Sequence, residues 1–401
     1  PVLDVNNNPE NPIIGIRSYS DNPLLVSLYG KNMFLGLKES NVMGCAKHFP
    51  GHGNTSVDSH YGLPTITSSR DELYQTELAP FISAACNGID AIMTTHIIFS
   101  SIDQEYPATL SEKVLTNLLR DEIGYDGLII TDGMEMNAVS KYFGDYDKTA
   151  VLAVKAGADI LTYTTTANPI KAFEGIKKAV QIGEITEERI NASVQRILLK
   201  KMKYDILDNY KASNGEISEQ LKENENLNIK FAMDSLTLVK GKFSGLDKSK
   251  KTLIISPTTT YDLGSGLSEN SFANYASNYL NENGYDCDFI TVQNNLSFNE
   301  TQQLLNKIKE YEQIVVAFSN VKTSKLTQTA NFVKQLSKMQ DKEVVVIALD
   351  TPYDLMLYGK EVNNYICVYG YQKATVIALS KYLNGEFEAR GILSVSEKNF
   401  S

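Results

Sequence analysis

The chain has 401 residues, of which 42% are hydrophobic and 21% charged, with a formal net charge of −10. That length and composition predict two domains with full apolar cores. The acidic balance argues against nucleic acid or an anionic membrane as the main partner, and no apolar run reaches the roughly 18 residues of a membrane span.

"PVLDV" at 1–5 reads as a strand, and "PVLDVNNNPENP" has neither the basic start nor the apolar core of a signal peptide. A helix is predicted over 22–38 and a strand over 42–49, "VMGCAKHF". After a Gly- and Pro-rich loop come a helix over 69–88, a strand over 90–96, a Ser-capped and Gly-stopped helix over 111–124, and the strand "GLIITD" over 127–132. A helix over 148–158, a strand over 159–163 and helices over 168–182 and 186–206 close the first half.

These are five βα units. Apolar strands without polar alternation imply a parallel sheet covered on both faces. Polar residues collect at the strand C-termini: Asp4, Lys47, His48, His96, Asp132 and Tyr163. That is the catalytic rim of a (β/α)8 barrel and also the ligand edge of an open doubly wound sheet, so the pattern alone fits both. Five strands do not close an eight-stranded barrel.

Residues 207–250 are polar and read as a linker with a connecting helix, followed by the strand-like "SLTLVK". Strands are then predicted over 252–256, 286–292, 313–318, 343–349 and 365–370, with helices such as 301–311 and 325–340 between them. This is a smaller α/β sandwich, and no GxGxxG or Walker pattern starts its helices. The expected domains are therefore 1–206, 207–250 and 251–401. The four cysteines, Cys45, Cys86, Cys287 and Cys367, lack metal-ligand spacing and are expected to be buried thiols.

Chemistry concentrates in "KHFPGHGNTSVDSHYGLP", 47–64, which carries His48, His52 and His60; the fourth histidine is His96. Three imidazoles in one loop after a strand admit a metal site, with Asp58 and His96 as further ligands. They equally admit proton transfer. Asp58 and His60 are two apart, so in extended chain the carboxylate can orient the imidazole and raise its basicity. Asp132, ending an apolar strand before Gly133, supplies either a nucleophile at the rim or an N-cap for the next helix. Arg17 and Lys47 add fixed cations, which with His48 suit a hydroxyl-rich ligand as well as an anionic one.

The stretches "PVLDVNNNPENPIIGIRSYS", "KHFPGHGNTSVDSHYGLP" and "DGLIITDGMEMNAV" resemble the β-N-acetylglucosaminidases of glycoside hydrolase family 3, and the likeness extends over essentially the whole chain. The pairing of KHFPGHG with DSH is specific to that branch. The resemblance implies a retaining exo-glycosidase that releases terminal β-linked N-acetylglucosamine from peptidoglycan or chitin fragments. Asp132 would be the nucleophile, His60 the general acid/base and Asp58 its dyad partner. Arg17, Lys47 and His48 would hold the sugar's hydroxyls, with Asp4 and Met136 in the same substrate-binding set. No cofactor and no metal are implied. A phosphorylase using the same residues stays open, because an imidazole acid adds less negative charge to the site than a carboxylate and leaves room for phosphate. So do a metal-dependent barrel hydrolase and a silent sugar-binding protein. The chain lacks the family's Asp-Gln-Glu-Gly-Gly type motif. Three barrel strands and a sugar-binding Asp are therefore expected from a further segment of roughly a hundred residues or more, in the same or a separate polypeptide. An extracellular or envelope location is expected, with the cytoplasm as the alternative.

Overall fold

A computed structural model describes residues 1–56, 62–164, 169–207, 218–258 and 271–396. Its Cα framework divides into two units, Pro1–Ser213 and Asn214–Ser401.

In the first unit, strands β1 (Cys45–Phe49), β2 (Ala91–Thr94), β3 (Leu128–Gly133) and β4 (Ile160–Thr162) lie side by side in that order. All neighbours are parallel, with Cys45 opposite Ala91, Ala91 opposite Leu128 and Ile130 opposite Ile160. The strands end at a common edge, which collects the polar residues that follow them. Helices α1 (Pro23–Glu39), α2 (Ala79–Cys86), α3 (Tyr146–Ala156), α4 (Pro169–Gln181) and α5 (Glu187–Lys203) alternate with or follow the strands. Leu3, Val5, Phe49, Phe81, Ile92, Leu115 and Ile129 belong to one core cluster with almost no exposure.

Several expectations shift in position. The predicted strand 1–5 contributes only a parallel bridge from Val2 to Lys47, with Leu3 N donating to Lys47 O at 2.6 Å. From Asp4 onward the chain is drawn off into side-chain contacts with the next loop. The predicted 42–49 strand starts at Cys45, because Asn41 has a left-handed φ of 57°. The predicted 69–88 helix is two, Arg70–Gln75 and α2. Pro80 cannot continue the first and starts the second, and Glu77 is thereby turned inward to 2% exposure. Cys287 and Cys367 are buried, but Cys45 is partly exposed and Cys86, at the end of α2, faces solvent. That helix is amphipathic, and only its Pro80, Phe81 and Ala84 face inward.

The sheet is open among the described residues: no strand pairs the outer side of β4 or of Val2. The fold observed is therefore α/β with parallel sheets, and a closed barrel is not seen. At the N-terminal end of β4, Asp159 is buried among Arg120 (2.6 Å), Arg196 (3.2 Å) and Ser193 (2.5 Å), with the Arg189 guanidinium 3.9 Å away. It ties the 113–122 helix and α5 to the strand.

The second unit is a six-stranded sheet of β5 (Thr237–Lys240), β6 (Thr252–Pro257), β7 (Cys287–Val292), β8 (Gln313–Phe318), β9 (Glu343–Ala348) and β10 (Asn364–Cys367), in the order β5-β10-β9-β8-β6-β7. Only β5 is antiparallel. β6 and β8 are buried along their whole length, as strands covered on both faces must be. Among the described residues no helix is long and apolar enough to cross a membrane.

Candidate functional site

The common C-terminal edge of the first sheet carries Lys47 and His48 on β1, Thr95 and His96 after β2, Asp132 and Gly133 on β3, and Tyr163 after β4. Asp4 lies under this edge with no exposure. Its Oδ2 accepts from His48 Nδ1 at 2.8 Å. Its Oδ1 accepts from the backbone N–H of His48 at 3.1 Å and of His52 at 2.8 Å. Burial alone would raise this carboxyl's pKa, but the charge and hydrogen bonds of His48 outweigh it and hold Asp4 below its ordinary value.

The loop after β1 is fastened from a second side. The Nδ2 of Asn11 donates to the carbonyls of His52 (2.8 Å) and Gly53 (2.9 Å), while its Oδ1 accepts from Ile13 and Ile14 N–H. Asn8 donates to Thr55 O and Ser56 Oγ. A Cβ on Gly53 would lie 1.7 Å from the Val5 carbonyl oxygen, so only glycine fits there. The peptides Lys47–His48 and Phe49–Pro50 are cis. Burial pushes the Glu77 carboxyl up, against hydrogen bonds from Asn54 and Asn7.

His96 is fully enclosed. Its Nε2 lies 2.9 Å from Gly133 O and its Nδ1 2.8 Å from Thr109 Oγ1. Because a carbonyl only accepts, Nε2 carries the hydrogen. Burial lowers the pKa of this ring against the opposing pull of Asp132 and the Gly133 carbonyl. Both nitrogens are engaged by protein, which removes His96 from the metal-ligand set. His52 Nδ1 is likewise taken by Thr55 Oγ1 at 2.9 Å, and burial lowers its pKa. Among the described residues no group of three or more His, Cys, Asp or Glu is arranged to hold a metal.

Asp132 is partly exposed at the rim, its Oδ1 accepting from Gly133 N at 2.8 Å. It does not cap a helix: the helix Asn137–Phe143 is preceded at its N-cap by Met136, whose side chain makes no cap hydrogen bond. Met136 is half-buried just beyond the rim. Arg17 is exposed in a short 3-10 turn, and its guanidinium donates to Ile13 O at 2.8 and 3.1 Å. Lys47 is partly exposed beside His48. Asp58 and His60 lie outside the described residues. The structure thus brings Asp4, Lys47, His48 and Asp132 to one edge of one sheet. Sequence reading missed the Asn8 and Asn11 clasp and the buried Glu77. The run "NNNPEN" directly after the first predicted strand was the available signal, since Asn side chains bond loop backbone.

A parallel α/β sheet that gathers a carboxylate, a lysine and imidazoles at its C-terminal rim is an α/β architecture of the kind that takes ligands at that edge. Residues 1–199 match the Glycosyl hydrolase family 3 N terminal domain. The solved structure of a glycoside hydrolase family 3 beta-N-acetylglucosaminidase from Paenibacillus sp. str. FPU-7 superposes with a TM-score of 0.87 at 33% identity, over 99% of this chain and 75% of that one. Beta-hexosaminidase A of Pseudoalteromonas piscicida is 29% identical over 99% of this chain and 73% of its own. Beta-hexosaminidase LpqI of Mycobacterium tuberculosis is 33% identical over 50% of this chain, and the match spans 53% of that protein. This chain belongs to glycoside hydrolase family 3.

Proposed function

We propose that the protein is a β-N-acetylhexosaminidase that removes terminal β-linked N-acetylglucosamine with retention of configuration. The observation that carries this is Asp132 at the end of β3, on the same rim as Lys47 and His48. The likeness over 99% of the chain to a beta-N-acetylglucosaminidase supports the choice of sugar. In the first step the Asp132 carboxylate attacks the anomeric carbon while His60, oriented by Asp58, gives its proton to the leaving oxygen. In the second, His60 takes a proton from water, which attacks the anomeric carbon and frees Asp132. A carboxylate beside that carbon also stabilises the positive charge of the oxocarbenium-like transition state. Lys47, His48 and Arg17 bind the sugar, with Met136 against its apolar face.

The domain assignment that goes with this reading is 1–206 as the catalytic part, 207–250 as connection and 251–401 as a sandwich domain. The open parallel sheet is taken as an arc of a (β/α)8 barrel. Peptidoglycan or chitin fragments are the substrates, at the cell envelope or outside it. A relative from Arthroderma benhamiae described as a secreted glycosyl hydrolase, 38% identical over 164 residues, supports that location.

The test is turnover of a nitrophenyl N-acetylglucosaminide with and without phosphate, with products identified. Release of free β-N-acetylglucosamine, unchanged by phosphate, is expected. A sugar phosphate product would overturn the hydrolase reading, and loss of activity with a chelator would overturn the metal-free covalent mechanism.

A further inference from the structure

We propose that Asp4 is a positioning residue that holds His48 as the Nδ1–H tautomer, so that Nε2 meets the sugar as a hydrogen-bond acceptor. The proposal deepens the sugar-binding reading of His48 and rests on it for the identity of the ligand. Asp4 has no exposure, and its carboxylate is engaged from within the protein: two backbone N–H groups on Oδ1 and the His48 ring on Oδ2. An ionised carboxylate only accepts, so the ring nitrogen 2.8 Å from it must carry a hydrogen. The low pKa of Asp4 keeps it ionised at neutral pH.

In a neutral imidazole, a hydrogen on Nδ1 leaves the lone pair on Nε2. That nitrogen has no hydrogen-bond partner among the described residues, in contrast to His96, whose Nε2–H is spent on Gly133 O. The two rim histidines therefore have opposite tautomers, each fixed by an oxygen that can only accept. Next to His48 stands Lys47, whose ammonium only donates. The rim thus pairs a donor with an acceptor on adjacent residues, and a hydroxyl, which does both, fits this pair better than an ether or a fluorine.

Asp4→Asn tests the assignment, because it preserves size while changing one atom's role. The amide oxygen can keep the two backbone N–H groups, and the amide NH2 then faces His48 Nδ1. The ring must invert, with its hydrogen on Nε2. Nitrogen spectra of protein labelled with 15N-histidine read the tautomer directly at a pH where the ring is neutral. His48→Gln identifies the resonance among four histidines. The expected result is Nδ1–H in the wild type and Nε2–H in Asp4→Asn. An Nε2–H wild type, or a tautomer that Asp4→Asn leaves unchanged, overturns the proposal. These spectra need no substrate, so they stand or fall apart from the glycosidase reading.

The ligand half is read with N-acetylglucosaminides in which each free hydroxyl in turn is replaced by fluorine, which only accepts. Fluorine also slows glycosyl transfer by itself, so the readout is the ratio between the two proteins. At one position the fluorine penalty in kcat/KM should shrink by about fivefold or more in Asp4→Asn, the scale of one hydrogen bond. Equal penalties at every position overturn the acceptor role. If Asp4→Asn does not fold, the wild-type spectrum still decides the tautomer.

Discussion

The Nε2–H of His96 donates to the Gly133 carbonyl across 2.9 Å, which ties the residue after Asp132 to the end of the neighbouring strand. Removing the ring in His96→Ala takes one partner from the Gly133 carbonyl, which keeps the Met136 N–H, and one from the Thr109 hydroxyl, which keeps Thr94 Oγ1 and the Thr95 carbonyl. A cost of about 0.5–1.5 kcal/mol per lost hydrogen bond is expected. Activity should fall mainly in kcat, because the carboxylate's aim is lost while the binding groups on β1 remain. Thermal unfolding and steady-state kinetics check this, and an unchanged kcat in a folded variant counts against it.

Asp132 should be labelled covalently by a 2-fluoro or otherwise slow N-acetylglucosaminide, and Asp132→Ala should lose roughly 10⁴-fold or more in kcat, as in other covalent catalysis. Peptide mass spectrometry locates the label. Its appearance on Asp58 would remove the assignment.

His60→Ala should harm substrates with poor leaving groups far more than nitrophenyl ones, since an activated phenolate needs little protonation. Asp58→Asn should act in the same direction, more weakly. Equal losses across leaving groups of different pKa would show that His60 is not the acid.

Gly53→Ala places a methyl group where the Val5 carbonyl oxygen stands 1.7 Å away. The loop must separate from the 5–11 segment, breaking the Asn11 and His52 contacts, with an expected cost of about 3 kcal/mol or more. Chemical denaturation measures it; a loss under about 0.5 kcal/mol, the range of ordinary surface changes, would contradict the packing described.

The depressed pKa values of His52 and His96 fix the sign of a pH effect. As pH falls below their ordinary value of 6.5, the unfolded chain takes up protons that the folded one refuses. Their contribution is complete above 6.5 and is lost as pH drops toward the folded values. Asp4 acts with the same sign lower down, present above its ordinary 3.8 and lost as pH falls through its folded value. In the second unit Asp354 acts oppositely: burial raises it to about 6, so stability is lost as pH rises from 3.8 through that value. His52→Gln should flatten the slope of stability below pH 6.5 in the first unit. An unaltered slope would remove His52 as a cause.

Much of the rim was legible because parallel strands align their ends, so residues after apolar runs had to share an edge. Asp132 and His48 follow from that alone. What sequence reading could not reach was the part of Asp4. A carboxylate after "PVL" reads as a rim residue facing ligand, yet the chain turns inward there and spends it on three N–H groups. The split at Pro80 that buries Glu77 was visible in "ELAPF" and outweighed by the apolar periodicity around it. The 1–5 strand failed for a related reason, since side-chain contacts claimed a backbone that local propensity assigned to the sheet.

Asp159 stands at the opposite end of β4 from the rim, and its carboxylate rivets two helices to one strand. The working edge and the foundation of this sheet are therefore answerable to different pressures. In a library of random variants, damage around Asp159 should show up as lower abundance with normal turnover per molecule, and damage around Asp132 as normal abundance with lost turnover. Selection can rework the specificity of one edge without disturbing the masonry of the other.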